Sequence, residues 1–142
     1  MRTIRRIYIH HTARDRGSVE GIRRFHVEQR GWSDIGYHWV IGNGRGMADG
    51  KISPGRPEAR AGAHVAGDNQ HTLGVVLIGN GNFTPAQRGA LLNLLIEKCL
   101  QFDVDPQDVL GHREHHRART ECPGFRVAEL RAALRPALQW AA

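Results

Sequence analysis

The chain has 142 residues, 40% hydrophobic and 24% charged, a length and composition that correspond to about one globular domain with its own core. This composition excludes disordered, collagen-like and fibrous proteins, which have few hydrophobic residues or a strong glycine and proline bias. The formal net charge of +6 favours a polyanionic partner, either nucleic acid, anionic lipid or an acidic cell-wall polymer. Nine histidines add a functional hint, because histidine is the commonest metal ligand.

The first predicted elements are a strand and a helix. Isoleucines that alternate with polar or aromatic neighbours predict a strand over residues 4–10, with His10 at its C-terminal end. Ser18 as the N-cap and Gly31 as the C-terminal stop predict a helix over residues 18–30. The residues of this helix that we expect to face the core are Ile22, Phe25 and Val27.

The middle of the chain is predicted to hold three strands and a long loop. The segment YHWVIG predicts a strand over 37–42, which a glycine-rich turn connects to a short strand near 51–53. Residues 54–71 show no hydrophobic periodicity and predict a loop, which is where binding groups usually lie. The continuous apolar run LGVVLIG predicts a buried central strand over 73–79.

Two helices and a short strand are predicted in the C-terminal half. Thr84 and Gln87 match a capping box at the start of a long helix, with Pro85 at its first position. A short strand is predicted over 108–112, and a final helix begins in FRVAELRAAL, which we expect Pro136 to end or kink. The apolar rows of the long helix, spaced i, i+4, are Leu91, Leu95 and Cys99, and Leu92, Ile96 and Leu100. Strands and helices alternate without internal repeats, which predicts one α/β domain.

Motifs that are absent exclude several function classes. Neither HExxH nor GxSxG occurs, which argues against the corresponding metalloproteases and against a serine hydrolase. The sequence lacks a zinc finger, an aromatic RNA-binding signature and a basic helix, so we expect no nucleic-acid partner. It also lacks an apolar stretch long enough to cross a membrane, and we expect neither membrane insertion nor a signal peptide. Cys99 and Cys122 have unlike surroundings, and we expect no disulfide between them.

Three groups of potential metal ligands lie far apart in the sequence, at or near predicted strand ends. His10 and His11 end the first strand, His112 ends the strand over 108–112, and Cys122 lies ten positions further on. A catalytic zinc site typically has three protein ligands drawn from histidine, cysteine and carboxylate, and leaves one position open. In the alternative interpretation Cys122 is a small buried hydrophobe and the histidines make ordinary hydrogen bonds. The spacing alone leaves both interpretations open.

Six sequence blocks occur in the order that is typical of one enzyme family. They are IYIHHTA in the first strand, GWSDIGYHWVI at the second, AGAHVAGDN in the long loop, LGVVLIGN in the central strand, FTPAQ at the long helix, and GHRE with TECPG near the end. On these blocks the chain resembles, over nearly its whole length, the zinc-dependent N-acetylmuramoyl-L-alanine amidases of phage amidase-type lysozymes and peptidoglycan recognition proteins. The resemblance implies a single catalytic domain over residues 1–142, without a separate wall-binding domain, in which helices flank a central mixed β-sheet.

The resemblance also implies the chemistry and the residues that carry it. One zinc ion per chain would be bound by His10, His112 and Cys122, with Tyr37 and Thr120 beside the metal. The two hydroxyl groups are candidate hydrogen-bond donors to the oxyanion of a tetrahedral intermediate. Such a site would hydrolyse the amide bond between N-acetylmuramic acid and the L-alanine of the stem peptide in peptidoglycan.

The long loop holds the candidate substrate contacts. His64 and Asn69 match a loop that lines the groove in the family, and Arg56 is a candidate for the carboxylates of the stem peptide. The alternative for His64 is a hydrogen bond to the backbone that holds the loop in place.

The sequence departs from the family pattern between the second and third ligands. His112 and Cys122 are ten positions apart, which is longer than is usual for members with a Cys ligand and resembles cytosolic muropeptide-recycling amidases, whose third ligand is Asp. The longer segment contains His115 and His116, either of which could replace His112 as a ligand. No general base is assigned, and Glu114 is a weaker candidate for that role.

The expected partner is peptidoglycan, and we expect the chain to act as a monomer. A protein made in the cytoplasm without a signal peptide would reach the cell wall as an endolysin does, through a holin-type membrane lesion. Two alternative functions remain: a non-catalytic peptidoglycan-binding module, and a cytosolic muropeptide-recycling amidase, which the Cys ligand disfavours.

Overall fold

The chain folds into five strands and three α-helices in a computed structural model that describes residues 2–141. The elements are β1 (Arg6–His11), α1 (Val19–Glu28), β2 (Trp39–Ile41), β3 (Ile52–Pro54), β4 (Thr72–Leu77), α2 (Pro85–Phe102), β5 (Val109–Gly111) and α3 (Val127–Ala141). The strands form one sheet in the order β3-β2-β4-β1-β5, in which only β3 is antiparallel to its neighbour. The predicted α/β domain with a central mixed sheet flanked by helices is confirmed.

One face of the sheet is apolar and carries the main core. Alternate residues of a strand point to opposite faces, and those of β1 and β4 on this face pack against α2 and α3. Each fully buried Leu or Ile side chain stabilises the fold by about 1.5–3 kcal/mol. The side chains with the least exposure in this cluster are Ile7, Ile9, Ile41, Leu73, Val75, Leu77, Leu95, Val109 and Leu134.

The opposite face of the sheet is mixed, and it carries the candidate site. Val40, Val76 and Ile78 form a second, smaller apolar cluster there, against which Val19 and Ile22 of α1 pack. Beside this cluster the face is polar, because the residues of β1 that alternate with the core isoleucines are Tyr8 and His10.

Helix α1 turns a histidine inward where apolar residues were predicted. Ile22 packs against the second cluster as expected, but Phe25 and Val27 are 41% and 40% exposed, so their predicted core positions are wrong. The inward stripe runs through Ile22 to His26, whose Nδ1 accepts a hydrogen bond from the backbone N–H of Gly36. The helix lies beside a cleft, and a short stripe suffices to hold it.

Helix α2 begins and packs largely as predicted. The capping box is present, since the Gln87 N–H donates to Thr84 Oγ1 at 3.0 Å and the Thr84 N–H donates to Gln87 Oε1 at 3.1 Å. The row Leu91, Leu95 and Cys99 is buried, whereas the second apolar row ends at Leu100, which is 46% exposed.

Helix α3 continues through Pro136 to Ala141, so Pro136 does not end the helix, and the alternative expectation of a kink stays a prediction. Leu134 is fully buried before the proline, and Leu138 packs against the core after it. These contacts hold the last turns although Pro136 cannot donate a backbone hydrogen bond.

Two further features concern the cysteines and the apolar character of the helices. Cys99 and Cys122 are both free thiols, as expected. Within residues 2–141, no helix combines the length and the apolar character that crossing a membrane requires.

Candidate metal centre

The register of two parallel strands brings two histidines together. Ile9 of β1 pairs with Gly111 of β5, so the residues that follow them, His10 and His112, lie side by side at the C-terminal edge of the sheet. Their ring centroids are 4.8 Å apart. Cys122 approaches from the segment before α3, and its Sγ lies 3.8 Å from His10 Nδ1. One ligand atom from each of these three residues lies within 4.8 Å of the others, which is close enough to bind a metal.

Backbone hydrogen bonds hold the Cys122 sulfur in place. The His11 N–H donates to Cys122 Sγ at 3.2 Å, and the Cys122 N–H donates to Thr120 Oγ1 at 3.1 Å. The Arg113 N–H donates to the Cys122 carbonyl at 2.8 Å. Burial raises the pKa of the Cys122 thiol to about 11, so the sulfur stays protonated at neutral pH unless a cation replaces the proton.

The charge state of the histidines suits a metal cation. Burial lowers the pKa of His10 well below its usual value, and burial with nearby His115 also lowers the pKa of His112. Both imidazoles are therefore neutral near pH 7, and each has a nitrogen lone pair to offer. Two nitrogens and one sulfur are donors that zinc prefers, and tetrahedral zinc bonds would place a nitrogen and a sulfur ligand about 3.6 Å apart. The observed 3.8 Å between His10 Nδ1 and Cys122 Sγ fits zinc.

His115 and His116 lie outside this ligand group. His115 is 9% exposed, packs edge-on against Tyr8 at 6.0 Å, and accepts a hydrogen bond from the Arg117 N–H through Nδ1. His116 is exposed. The geometry therefore favours His112 over either of them as the second ligand.

Tyr37 and Thr120 line the same cleft as the three candidate ligands. The Tyr37 ring lies 5.1 Å from the His10 ring, and burial raises the pKa of its phenol to about 12. Within residues 2–141 no protein group forms a hydrogen bond with the Tyr37 oxygen, so the hydroxyl is available to a bound molecule. The Thr120 hydroxyl accepts from the Cys122 N–H and still has its own proton to donate.

His64 and Asn69 also line the cleft, but both are engaged by the protein. His64 is 9% exposed, with Nδ1 2.9 Å from His10 Nε2 and Nε2 3.2 Å from Thr72 Oγ1. Asn69 Oδ1 accepts from the N–H groups of His64 and Val65 at 3.0 and 2.9 Å, which holds the backbone of this part of the loop in place. The substrate contacts predicted for these two residues stay predictions, and the contacts seen are within the protein.

Arg56 lies away from the cleft and is 9% exposed. Its guanidinium donates to three backbone carbonyls, at 2.9 Å to Ile35, 2.9 Å to Ala61 and 3.1 Å to Asp34. These hydrogen bonds join the long loop to the segment before β2, and the contact with substrate carboxylates expected of Arg56 stays a prediction.

Glu114 is held by a different partner. Its carboxylate accepts two hydrogen bonds from Arg131, at 2.8 and 2.9 Å, and one from the Gly111 N–H. Burial alone would raise the pKa of Glu114, but these hydrogen bonds outweigh it and lower the pKa. A carboxylate held in this way is unsuited to the role of general base.

A second groove adjoins the cleft and was missed in the sequence. It shares His11, His26, Arg30 and Tyr37 with the cleft and runs along α1. Further residues that line it are Arg14, Arg16, Ser18, Ile22 and Phe25. The excess of basic residues in the sequence indicated a polyanionic partner, but only the fold shows which arginines border the groove.

Comparison with known proteins identifies the family. The sequence model of the N-acetylmuramoyl-L-alanine amidase family matches residues 1–125. The chain therefore belongs to the N-acetylmuramoyl-L-alanine amidase family, and the resemblance found in its motifs is confirmed. Its activity is accordingly that of an N-acetylmuramoyl-L-alanine amidase, a peptidoglycan hydrolase.

Individual relatives agree with this assignment. The endolysin of Klebsiella phage KP32 is 38% identical over 115 residues, which cover 75% of this chain and 70% of the relative. The endolysin of Escherichia phage T7 is 36% identical over 115 residues, with the same coverage.

Solved structures agree as well. The N-acetylmuramoyl-L-alanine amidase LysC from Clostridium intestinale superposes with a TM-score of 0.82 at 34% identity, covering 94% of this chain and 87% of that one. A mutant of Drosophila PGRP-LB in complex with tracheal cytotoxin gives a TM-score of 0.75 at 31% identity, covering 92% of this chain and 81% of that one.

Proposed function

We propose that this chain is a zinc-dependent endolysin-like amidase, which hydrolyses the bond between the lactyl group of N-acetylmuramic acid and the L-alanine of the stem peptide. The observation that carries the proposal is the convergence of His10, His112 and Cys122, with ligand atoms within 4.8 Å of one another, in a cleft that Tyr37 also lines. Membership of the amidase family and similarity to phage endolysins support it. We expect one zinc ion per chain.

The reaction adds water across an amide that is otherwise unreactive. Zinc supplies Lewis acidity, which makes water nucleophilic near neutral pH and polarises a carbonyl group. Oxygen from water bonds to the carbonyl carbon, the C–N bond breaks, and the L-alanine nitrogen leaves as an amine that has gained a proton. The lactyl group remains as a carboxylic acid.

Tyr37 and Thr120 are proposed to stabilise the developing oxyanion. Because burial raises the pKa of Tyr37 to about 12, its phenol keeps its proton at neutral pH and can donate it in a hydrogen bond. The Thr120 hydroxyl is oriented by the Cys122 N–H, which donates to its oxygen at 3.1 Å and leaves its proton for the substrate. Donors that are fixed before the reaction cost little reorganisation when charge develops.

The arginine-lined groove suits the substrate's carboxylates. Arg14, Arg16 and Arg30 border it beside Tyr37, and within residues 2–141 none of the three forms an ion pair. We propose that the stem peptide lies along this groove. Asn69 remains a candidate contact, since its side-chain oxygen is occupied but its amide nitrogen has no partner within the described residues.

Action at the cell wall follows from this activity. Release through a membrane lesion, a monomeric state and a single catalytic domain over residues 1–142 stay predictions. A recycling amidase is disfavoured because the third candidate ligand is a cysteine sulfur. A non-catalytic binding module is disfavoured because the site combines three candidate ligands with an available tyrosine hydroxyl.

The proposal is tested by metal analysis together with digestion of purified sacculi. We expect about one zinc per chain and newly freed L-alanine amino groups in the digest, detected by mass spectrometry. Cys122→Ser should lose both zinc and hydrolysis, whereas Cys99→Ser, the matched control in the core, should retain both. Retained hydrolysis in folded Cys122→Ser would contradict the proposed site, and a wild-type digest without free L-alanine amino groups would favour the binding module.

A further inference from the structure

A series of hydrogen-bonded, buried polar groups lies on the side of the His10 ring opposite to the proposed metal. His10 Nδ1 faces Cys122 Sγ, while His10 Nε2 lies 2.9 Å from His64 Nδ1. The other nitrogen of His64 lies 3.2 Å from Thr72 Oγ1, and the Thr72 hydroxyl donates to the Asp68 carbonyl at 2.7 Å. His10, His64 and Thr72 are all at most 9% exposed.

The Asp68 carbonyl at the end of this series fixes the direction of every hydrogen bond in the series. A carbonyl oxygen can only accept, so the Thr72 hydroxyl proton is used on Asp68 and its oxygen must accept from His64 Nε2–H. A neutral imidazole has one ring proton, so His64 Nδ1 is bare and accepts from His10 Nε2–H. His10 Nδ1 is then bare as well, on the side that faces Cys122.

The His64 ring is packed closely against the backbone. A Cβ atom on Gly74 would lie 2.6 Å from the His64 ring, and one on Gly62 would lie 2.8 Å from it, so both glycines are needed for the ring to fit. The loop around the ring is fixed too, because Asn69 accepts from the His64 N–H. The structure thus commits a buried loop histidine to a single hydrogen-bonding arrangement.

We infer that His64, oriented by Thr72, is a positioning residue that holds His10 in the tautomer with its proton on Nε2 and so presents Nδ1 to the metal. Histidine ligands in metal sites commonly donate their second N–H to a fixed acceptor, which sets both the tautomer and the ring orientation. The substrate contact expected of His64 from the sequence stays a separate prediction. The inference deepens the proposed function and rests on it.

The test compares zinc affinity in four variants by competition with a chromophoric chelator. His64→Phe removes the acceptor and keeps a ring, and Thr72→Val removes the group that orients His64. We expect both to weaken zinc binding, His64→Phe by about 10–100-fold. His64→Gln, whose amide can accept from His10 and donate to Thr72, should recover part of the loss. His71→Gln, at a histidine outside the site, should bind zinc as the wild type does.

A second readout reports the tautomer directly. Nitrogen-15 NMR of the metal-free wild type should show His10 protonated at Nε2, and Thr72→Val should show a mixture of His10 tautomers. Wild-type zinc affinity in folded His64→Phe and Thr72→Val, or a His10 protonated at Nδ1 in the metal-free wild type, would overturn the inference. If His64→Phe fails to fold, Thr72→Val decides. A wild type that binds no zinc would contradict the proposed function, while the His10 tautomer would still decide this inference.

Discussion

Histidine serves two different purposes in this chain, and the difference lies in what each ring nitrogen contacts. His10 and His112 each direct a nitrogen towards Cys122, which is the arrangement of a metal site. His26 and His38 instead accept hydrogen bonds from the backbone N–H groups of Gly36 and Gly74. A neutral imidazole can both accept and donate, so it satisfies buried backbone groups where an apolar residue could not. The high histidine count thus reflects the polar face of the sheet as well as the metal centre.

Tyr37 provides the sharpest prediction for a single residue. Tyr37→Phe removes only the hydroxyl, which forms no hydrogen bond with a protein group within residues 2–141, so folding and zinc content should not change. If the hydroxyl stabilises the oxyanion, its loss should lower kcat by about 10²–10³-fold, with a smaller effect on KM. Steady-state hydrolysis of a soluble muropeptide, with zinc content measured on the same preparation, checks this. Wild-type kcat in the zinc-loaded variant would remove Tyr37 from the mechanism.

At the scale of elements, α3 contains a proline that its position does not favour. Pro136 lies inside the helix, where it removes a backbone hydrogen bond and crowds the preceding turn, at a cost of about 3 kcal/mol in an isolated helix. Pro136→Ala should therefore raise the free energy of unfolding, by about 1–3 kcal/mol, in chemical denaturation. Pro85→Ala is the matched control: this proline is at the start of α2, where it is favourable, and its removal should bring no gain. An unchanged or lower stability of Pro136→Ala would show that the helix is adapted to its proline.

The polar face of the sheet predicts sensitivity to acid. Burial lowers the pKa of both His26 and His38 to about 4, whereas an unfolded chain protonates histidine at about 6.5. The unfolded state therefore binds protons first as the pH falls. The contribution of these histidines to the free energy of unfolding is therefore fully present above about pH 6.5 and is lost as the pH falls to about 4. The well-buried His38 accounts for roughly 2–3 kcal/mol of this contribution.

Denaturation in the presence of a chelator separates this effect from loss of metal. The free energy of unfolding should be lower at about pH 4.5 than at about pH 7, and His38→Asn should reduce the difference. The Asn side chain is neutral at both pH values and has an oxygen that can accept from the Gly74 N–H. An equal pH dependence in His38→Asn and the wild type would assign the acid sensitivity to other groups.

Sequence patterns predicted the elements well where the structure depends on residues that are close together along the chain. The alternation in β1, the apolar run of β4 and the capping box of α2 each depend on neighbours along the chain, and each was predicted. The three candidate metal ligands followed from the resemblance to the family, and the register of β1 and β5 explains why two of them, His10 and His112, meet at one edge of the sheet. The hydrogen bonds that Arg56 and His64 form within the protein could not be predicted, because they depend on how residues 55–71 fold back over the sheet. Phe25 and Val27 were misplaced since α1 borders a cleft and buries only a narrow stripe.

At the scale of the whole molecule, part of the positive charge lies beside the candidate site. The chain has a formal net charge of +6, and Arg14, Arg16 and Arg30 border the groove beside Tyr37. An anionic polymer is attracted by the net charge at long range and by the groove at contact. Salt weakens the long-range attraction more than the attraction at contact, since the Debye length falls from about 30 Å at 0.01 M to about 3 Å at 1 M ionic strength.

Hydrolysis of sacculi should therefore fall steeply over this range of ionic strength, whereas hydrolysis of a small soluble muropeptide should fall less. The difference arises because the polymer meets the field of the whole protein and the small substrate meets mainly the groove. Arg30→Gln and Arg24→Gln remove the same charge, but only Arg30 borders the groove, while Arg24 is exposed on α1. Arg30→Gln should raise KM for the soluble muropeptide several-fold and Arg24→Gln should not. Equal effects of the two substitutions would mean that net charge alone attracts the substrate and that the groove does not select it.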